Sequence, residues 1–302
     1  MTMHTRDVAL ITEDRYVAPV VIDAYIANIL EDDAILTQAL SNVGLSSIRV
    51  SWSDPQFDWS SVRCGLFRTT WDYFYHFDAF SSWLDVTEKK TQLINDPATI
   101  RWNMDKHYLL DLQQRGIPIV ETCIQEKGST VSLRTALQQN GITEGIIKPA
   151  VSGAARHTYR VNPDNVDALE PTWAKLLQNE AMLLQPFQED IISSGEVSCM
   201  LMGGQFTHAV IKKAKSGDFR VQDDHGGTVH PYTPTAEEIQ FAERAAAACA
   251  TLPAYARVDF TRNTTDQPVI MELELIEPEL WFRKYPPAAK ALAQHIQTLL
   301  LP

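Results

Sequence analysis

Tyr255-Ala-Arg-Val-Asp-Phe-Thr261, Arg262-Asn-Thr-Thr-Asp-Gln-Pro268 and Val269-Ile-Met-Glu-Leu-Glu-Leu-Ile276 read in succession as strand, turn and strand. The flanks carry β-branched and aromatic residues, and the middle collects Asn, Asp and Pro, which favour turns. A hairpin symmetric about the bond between Thr265 and Asp266 sets Asp259 opposite Glu272 and Arg257 opposite Glu274. It also sets Val258 opposite Leu273 and Phe260 opposite Met271. Strand side chains alternate faces, so Val258, Phe260, Met271 and Leu273 share an apolar face, and Arg257, Asp259, Glu272 and Glu274 share a polar one. Like charges opposed across a sheet repel, and such a patch calls for a cation. Oxygen-only donors select magnesium, calcium or manganese. The hairpin taken alone is equally compatible with a solvated strand face carrying one Arg–Glu pair.

Upstream segments bear on that choice through their order. Lys148 ends the apolar run Gly145-Ile-Ile, just before Pro149, and the small residues Ala150-Val-Ser-Gly-Ala-Ala155 follow. A lysine there is aimed from a rigid element, and a small-residue loop can close on an anion through its backbone N–H groups. Lys106, Lys212 and Lys215 are individually weak signals. Met182-Leu-Leu-Gln-Pro-Phe187 reads as a core strand or as a linker whose backbone pairs with a planar base. Helices are expected at Lys106 to Leu112, Val166 to Leu177, Ala236 to Ala250 and Pro286 to Leu301. Gly203-Gly204 turns a hairpin between Val197 to Met202 and Phe206 to Lys212.

The first hundred residues alternate differently: strands at Val8 to Ile11, Ile48 to Trp52 and Val62 to Phe67, with a helix at Ala34 to Val43. Strand–helix alternation suggests a small parallel α/β unit. It has no Gly-x-Gly-x-x-Gly and no P-loop signature, so it is not an obvious dinucleotide or P-loop module. Asn95-Asp-Pro97 marks a break after it.

Across 302 residues the apolar share of 45% and the charged share of 21% are those of a globular chain, which sets aside disordered and fibrous classes. A net charge of −12 disfavours a nucleic-acid or anionic-membrane surface, because phosphate arrays demand clustered Lys and Arg. Cys64, Cys123, Cys199 and Cys249 are far apart and read as free thiols of a reducing compartment. No run of 18 apolar residues suggests a membrane span, and the expected location is the cytoplasm.

The order lysine, lysine with small loop, apolar linker, Glu196, lysine, acidic hairpin resembles that of the ATP-grasp superfamily of carboxylate–amine ligases, from about Lys106 to Glu279. Arg257-Val-Asp-Phe260 resembles the arginine and metal-ligand strand of D-alanine–D-alanine ligase, and Glu272-Leu-Glu274 stands where that superfamily has Glu-x-Asn. Ile211-Lys212, Gly217-Asp-Phe-Arg220 and His225-Gly-Gly227 resemble phosphate and loop segments of glutathione synthetase. Arg68-Thr-Thr-Trp-Asp-Tyr73, Asn95-Asp-Pro97 and Glu272 to Pro278 resemble the glutathione-synthetase-like branch that includes D-cycloserine synthetase. Three departures stand out: Glu274 replaces Asn, the phosphate loop has one glycine (Gly153), and the hinge opens with Gln185 where an acid is common.

The resemblance implies an ATP-grasp fold, α/β with an α+β C-terminal part, preceded by a parallel α/β domain. Its expected units are 1–100, 101–184 and 185–302. It implies ATP and two Mg²⁺, with Asp259, Glu272 and Glu274 as metal ligands. Lys106, Lys148 with Ser152 and Gly153, the hinge Gln185, Pro186 and Phe187, Glu196 and Lys212 would hold the nucleotide. Arg257, Arg220 and Lys212 are the expected catalytic groups. Arg68, Trp71, Asp72 and Tyr73 follow a strand end, where open α/β sheets place ligands. With Gly226 and Gly227 they are expected to line the substrate pocket, Asp72 on an amino group. Alternatively Trp71 and Tyr73 pack in the core and Arg68–Asp72 is a structural pair. His225 is a candidate base. The implied substrate is small and amino-acid-like, as in cyclisation of O-ureido-D-serine or in joining of two molecules. A non-catalytic nucleotide-binding module is the alternative, and a homo-oligomer is left open.

Overall fold

The computed structural model describes residues 4–301 except 216, 219 and 222–225. The chain begins with β1 (Arg6–Thr12), then α1 (Ala24–Asn42), β2 (Ser47–Ser51), β3 (Val62–Thr69), α2 (Phe77–Thr87) and β4 (Gln92–Ile94). These strands form a parallel sheet in the order β2-β1-β3-β4. Alternation along β1 sends Val8 and Leu10 into one core cluster and Ala9 and Ile11 into another. The second cluster is aromatic, with Trp52, Trp59, Phe67, Tyr73 and Phe80 packed together.

Helix α1 starts ten residues before the expected Ala34, capped by Asp23, whose side chain accepts from the Ile26 N–H at 2.8 Å. Its apolar stripe is interrupted by Asp32 and Asp33, both 2% exposed. Arginines from elsewhere neutralise them, so a buried face looked polar in sequence.

Two short helices, α3 (Pro97–Asn103) and α4 (Tyr108–Gln114), lead to β5 (Cys123–Gln125), α5 (Leu133–Gln139), β6 (Gly145–Pro149), β7 (Tyr159–Val161), α6 (Val166–Leu177) and β8 (Met182–Pro186). The antiparallel sheet β5-β8-β6-β7 is backed by α5 and α6 through Leu133, Leu137, Trp173 and Leu177. Strand β8 runs across the expected 184/185 division, because Gln185 and Pro186 pair with Ile146 and Gly145. The segment before β5 belongs to the last sheet instead: Val120 N–H donates to the Ile270 carbonyl, and Ile270 N–H to that of Pro118, both at 2.9 Å.

The remainder is α7 (Asp190–Ser193), β9 (Glu196–Met202), β10 (Gln205–Lys213), β11 (Thr228–Tyr232), α8 (Ala236–Ala247), β12 (Tyr255–Arg262), β13 (Pro268–Glu274) and α9 (Pro287–Leu299). Its strands form an antiparallel sheet in the order β11-β10-β9-β12-β13. Phe241, Ala242 and Ala245 of α8 cover one face, and Leu292 and Ile296 of α9 join Met200 of β9 to Leu36 and Leu40 of α1. Helix α9 thus welds the last sheet to the first domain. No described helix is long and apolar enough to cross a membrane.

The hairpin pairs Arg257 with Glu274, Val258 with Leu273 and Asp259 with Glu272, as its symmetry requires. One expectation fails beyond that point. A bulge between Asp259 and Phe260 sets Phe260 opposite Ile270, not Met271. Ile270 is fully buried in the core with Val258, Phe260 and Leu273. The bulge absorbs one residue near the turn and leaves the acidic end in register.

Candidate active site

Strand pairing fixes the polar face first. Arg257 and Asp259 are neighbours on one side of β12, and Glu272 and Glu274 project from β13 beside them. The Arg257 guanidinium donates to Asp259 from Nε at 3.0 Å and from Nη2 at 2.9 Å, and it also pairs with Glu274. It lies 5.2 Å over the Trp281 ring and reaches the Glu279 carbonyl at 3.4 Å.

The lysines arrive from three other elements. Lys212 of β10 donates to Asp259 Oδ2 at 2.9 Å and pairs with Glu196 of β9. Lys148, at the end of β6, donates to Glu272 Oε1 at 2.8 Å. Lys106, just before α4, lies 4.0 Å from the same oxygen and donates to the Ser152 carbonyl at 2.5 Å. All three are buried, and ammonium groups tolerate burial only beside carboxylates.

Protonation follows from this packing. Burial opposes ionisation of Asp259, but Arg257 and Lys212 hold its carboxyl well below the usual range. Glu272 is likewise buried, yet Lys148 and Lys106 bring it down to about 2. Glu274 goes the other way: burial and repulsion from Asp259 and Glu272 outweigh Arg257 and push it up to about 7. Glu277, three residues on, is raised to about 8 by burial and by Glu274. Burial also raises the Glu196 carboxyl despite Lys212. Burial lowers Lys106, with Glu272 opposing, whereas Asp259 and Glu196 overcome burial and raise Lys212.

A divalent metal fits this face in its chemistry, since the donors are oxygens on one side of one hairpin. Among the described residues no three carboxylates, imidazoles or thiols converge as a ligand group. Each of Asp259, Glu272 and Glu274 is occupied by a cationic side chain.

The loop after β6 turns back on itself with Ala154, Ala155 and His157 in the left-handed region, at φ 49°, 54° and 49°. Each non-glycine residue there costs about 1–2 kcal/mol, a strain that recurs at functional loops. Gly153 is needed for a different reason: a Cβ there would lie 2.6 Å from Phe74 Cε1 of the first domain. Ser152 is buried and donates to the Pro149 carbonyl at 3.1 Å. At the hinge, the Gln185 amide is spent on Thr122 Oγ1 at 2.8 Å, and the Arg160 guanidinium sits 3.8 Å over the Phe187 ring. Pro186 ends β8 between them.

The residues expected after β3 separate. Arg68 is buried and bonds Asp33 through Nε at 2.9 Å, so the Arg68–Asp72 pair is not formed. Trp71 donates from Nε1 to the Glu277 carbonyl at 2.8 Å, which carries it to the hairpin exit. Tyr73 is buried in the aromatic core. Asp72 accepts from Trp52 Nε1 at 2.8 Å and lines an open cavity of about 610 Å³ with Asp14, Asp54, His76 and Trp83. Among the described residues nothing bonds Asp72 to the hairpin. Arg220 is held by Asp218 through Nε at 3.0 Å and Nη2 at 2.7 Å, Gly226 turns at φ 79°, and Gly227 precedes β11. His225 lies outside the described residues.

Sequence reasoning passed over several supports. Asp32 of α1 takes Arg283 Nη1 at 3.0 Å, and the other arm of Arg283 takes Glu279 Oε1 at 2.5 Å. Asn95 bridges the sheets by donating to the carbonyls of Tyr255 at 3.0 Å and Leu275 at 2.9 Å and accepting from Ala254 N–H at 2.6 Å. Asn95-Asp-Pro97 was visible as a motif, but its partners lie more than 150 residues away.

Comparison with known proteins bears on the family and the fold. Residues 8–95 match the family model for the N-terminal domain of D-cycloserine synthetase DcsG, and 156–279 match the RimK-like ATP-grasp domain. Cycloserine biosynthesis protein DcsG of Streptomyces lavendulae is 29% identical over 265 residues, 81% of this chain and 86% of the relative. A crystal structure of D-cycloserine synthetase DcsG superposes with a TM-score of 0.86 at 26% identity, covering 97% of this chain and 99% of that one. The RimK domain ATP-grasp protein of Sphaerobacter thermophilus gives a TM-score of 0.68 at 17% identity, covering 98% and 100%. D-alanine–D-alanine ligase of Bacillus anthracis, in a structure with ATP, gives 0.66 at 14% identity, covering 96% of each chain.

Proposed function

We propose, from the premise that this chain belongs to the ATP-grasp ligases, that it uses ATP and magnesium to turn an amino-acid-like carboxylate into an acylphosphate and then into a C–N bond. The observation that carries the reading is the convergence of Lys106, Lys148, Lys212 and Arg257, from four separate segments of the chain, on the carboxylates of one hairpin. A fold that only needed stability gains little from burying so many charges. A site that must receive a triphosphate has a use for every one of them.

In this reading the three lysines exchange their carboxylate partners for phosphate oxygens, and Ser152 and Gly153 close over the nucleotide. Gln185, Pro186 and Phe187 present the hinge backbone to adenine, and Glu196 faces the ribose or base. Asp259, Glu272 and Glu274 would hold magnesium, which supplies neutralisation of phosphate charge. The substrate carboxylate oxygen attacks the γ-phosphorus and ADP leaves. An amine nitrogen then attacks the acyl carbon, and inorganic phosphate departs with the acyl C–O bond. In the same reading Arg257 and the amides of Gly226 and Gly227 stabilise the tetrahedral oxyanion, and Arg220 holds a phosphate or carboxylate. The DcsG-type first domain favours O-ureido-D-serine as substrate and ring closure to D-cycloserine, in which the oxygen-bound ureido nitrogen attacks the acyl carbon and water releases its carbamoyl group as carbon dioxide and ammonia.

Screening amino-acid-like acids for ADP release, with mass spectrometry of the products, tests the proposal. ADP and D-cycloserine from O-ureido-D-serine alone are expected. A requirement for a second amine would replace cyclisation by intermolecular ligation. Nucleotide binding without acid-dependent turnover would leave only a binding module.

A further inference from the structure

Four carboxylates follow one another along the hairpin and its exit: Asp259, Glu272, Glu274 and Glu277. Three are matched with cations: Asp259 with Lys212 and Arg257, Glu272 with Lys148, Glu274 with Arg257. Glu277 differs. No Lys, Arg or His of the described residues forms an ion pair with its side chain. Lys106, whose charge favours its ionised form, is already committed to Ser152 and Glu272.

Its backbone is fixed on every side. Trp71 Nε1 donates to the Glu277 carbonyl at 2.8 Å, Tyr255 Oη donates to that of Ile276 at 2.7 Å, and Pro278 follows. Pro278 and Glu279 line a narrow cleft with Arg68 and Trp71, where the first domain meets the hairpin exit. The side chain itself is half-buried, so a ligand can reach it. A carboxylate held rigidly in a half-buried position without a counterion is a receptor for one. A single unpaired carboxylate does not make a magnesium site, which needs several oxygens at octahedral angles. It does suit one primary ammonium group.

We propose that Glu277 binds the α-ammonium group of the amino-acid substrate and makes the enzyme selective for amino acids over the corresponding plain acids. This rests on the ligase reading above. The role expected of Asp72 passes to a residue at the hairpin exit, because Asp72 is turned toward Trp52. In a ring closure the α-amine does not react; burial and Glu274 raise the Glu277 carboxyl to about 8, and an arriving ammonium group draws it into its ionised form and is anchored by it.

The test uses the full chain with ATP and magnesium, O-ureido-D-serine, and its analogue lacking the amino group, 3-(ureidooxy)propanoic acid. The wild type is expected to favour the amino-bearing substrate in kcat/KM. Glu277→Gln should raise KM for that substrate about ten- to a hundredfold, the worth of one charge-assisted hydrogen bond, and erase the preference. Its affinity for ADP should stay within twofold of the wild type's. Glu277→Asp should recover part of the preference. Equal kcat/KM of the wild type on both compounds overturns the assignment whatever the variants do, and so does a folded Glu277→Gln that keeps the preference. Absence of ADP release by the wild type on both compounds, and on every other acid screened, overturns the ligase reading itself.

Discussion

The hairpin face and the segment after β3 carry similar side chains, yet the fold treats them in opposite ways. On the hairpin, Arg257, Asp259, Glu272 and Glu274 stand together as their spacing requires. At the end of β3 and just beyond it, Arg68, Trp71, Asp72 and Tyr73 are sent to an ion pair, the hairpin exit, an open cavity and the aromatic core. A two-strand register is set by neighbours a few residues apart, and one shared period governs both strands. The direction of a side chain in a strand-to-helix turn depends on whichever distant element offers a partner. Asp33 takes Arg68 from 35 residues away, and Glu277 takes Trp71 from 206.

If the hairpin is the chemical centre, its disruption should cost most. Glu272→Gln is expected to lower kcat by about 10²–10³, the scale for losing one electrostatic stabiliser of a transition state. Steady-state ADP release would measure it, and undiminished turnover would remove Glu272 from the site. The same variant reads the pairing with Lys148. The folded-state value of Glu272 is depressed from 4.5 to about 2, so its contribution to stability is complete above pH 4.5 and vanishes as pH falls through about 2. In urea unfolding, the stability gap between wild type and Glu272→Gln should therefore close over that interval. A gap independent of pH would mean the carboxylate is not held by the lysines.

Gly153→Ala probes the seam between the two regions. The added methyl group meets the Phe74 ring at 2.6 Å, and overpacking of this kind costs about 1–3 kcal/mol. KM for ATP should rise severalfold with a lower melting temperature, because the loop can no longer rest on the first domain. An unchanged KM would show that this contact plays no part in nucleotide binding. Asp72→Asn should do least. Its side-chain oxygen still accepts from Trp52, so stability should change by about 1 kcal/mol or less and substrate KM by less than twofold. A tenfold increase in KM would return Asp72 to the substrate and weaken the contrast drawn between the regions.

Legibility in the sequence follows the same division. Strands β1, β2, β3, β9, β10, β12 and β13, the Val166–Leu177 helix and the acidic register depend on local periodicity, and each was visible, whereas the short β4, β5 and β7 and the strand β11 were not. The bulge that swaps Met271 for Ile270 was not, because any symmetric pairing assumes equal residue counts on both strands. The first half of α1 was hidden by Asp32 and Asp33, whose burial makes sense only with Arg49, Arg68 and Arg283 in place. The convergence of Lys106, Lys148 and Lys212 was legible only as an order along the chain matching a known family. Glu277 stood inside a quoted motif, but that no described residue forms an ion pair with it is a three-dimensional fact.

The most direct test of the central claim is to trap the activated acid. Incubating the enzyme with ATP, magnesium, O-ureido-D-serine and hydroxylamine should yield the substrate hydroxamate together with ADP, and Glu272→Gln should form both about 10²–10³ times more slowly. ADP release accompanied by a stable phosphate ester and no hydroxamate would contradict an acylphosphate, and with it the assignment of this site to C–N bond formation.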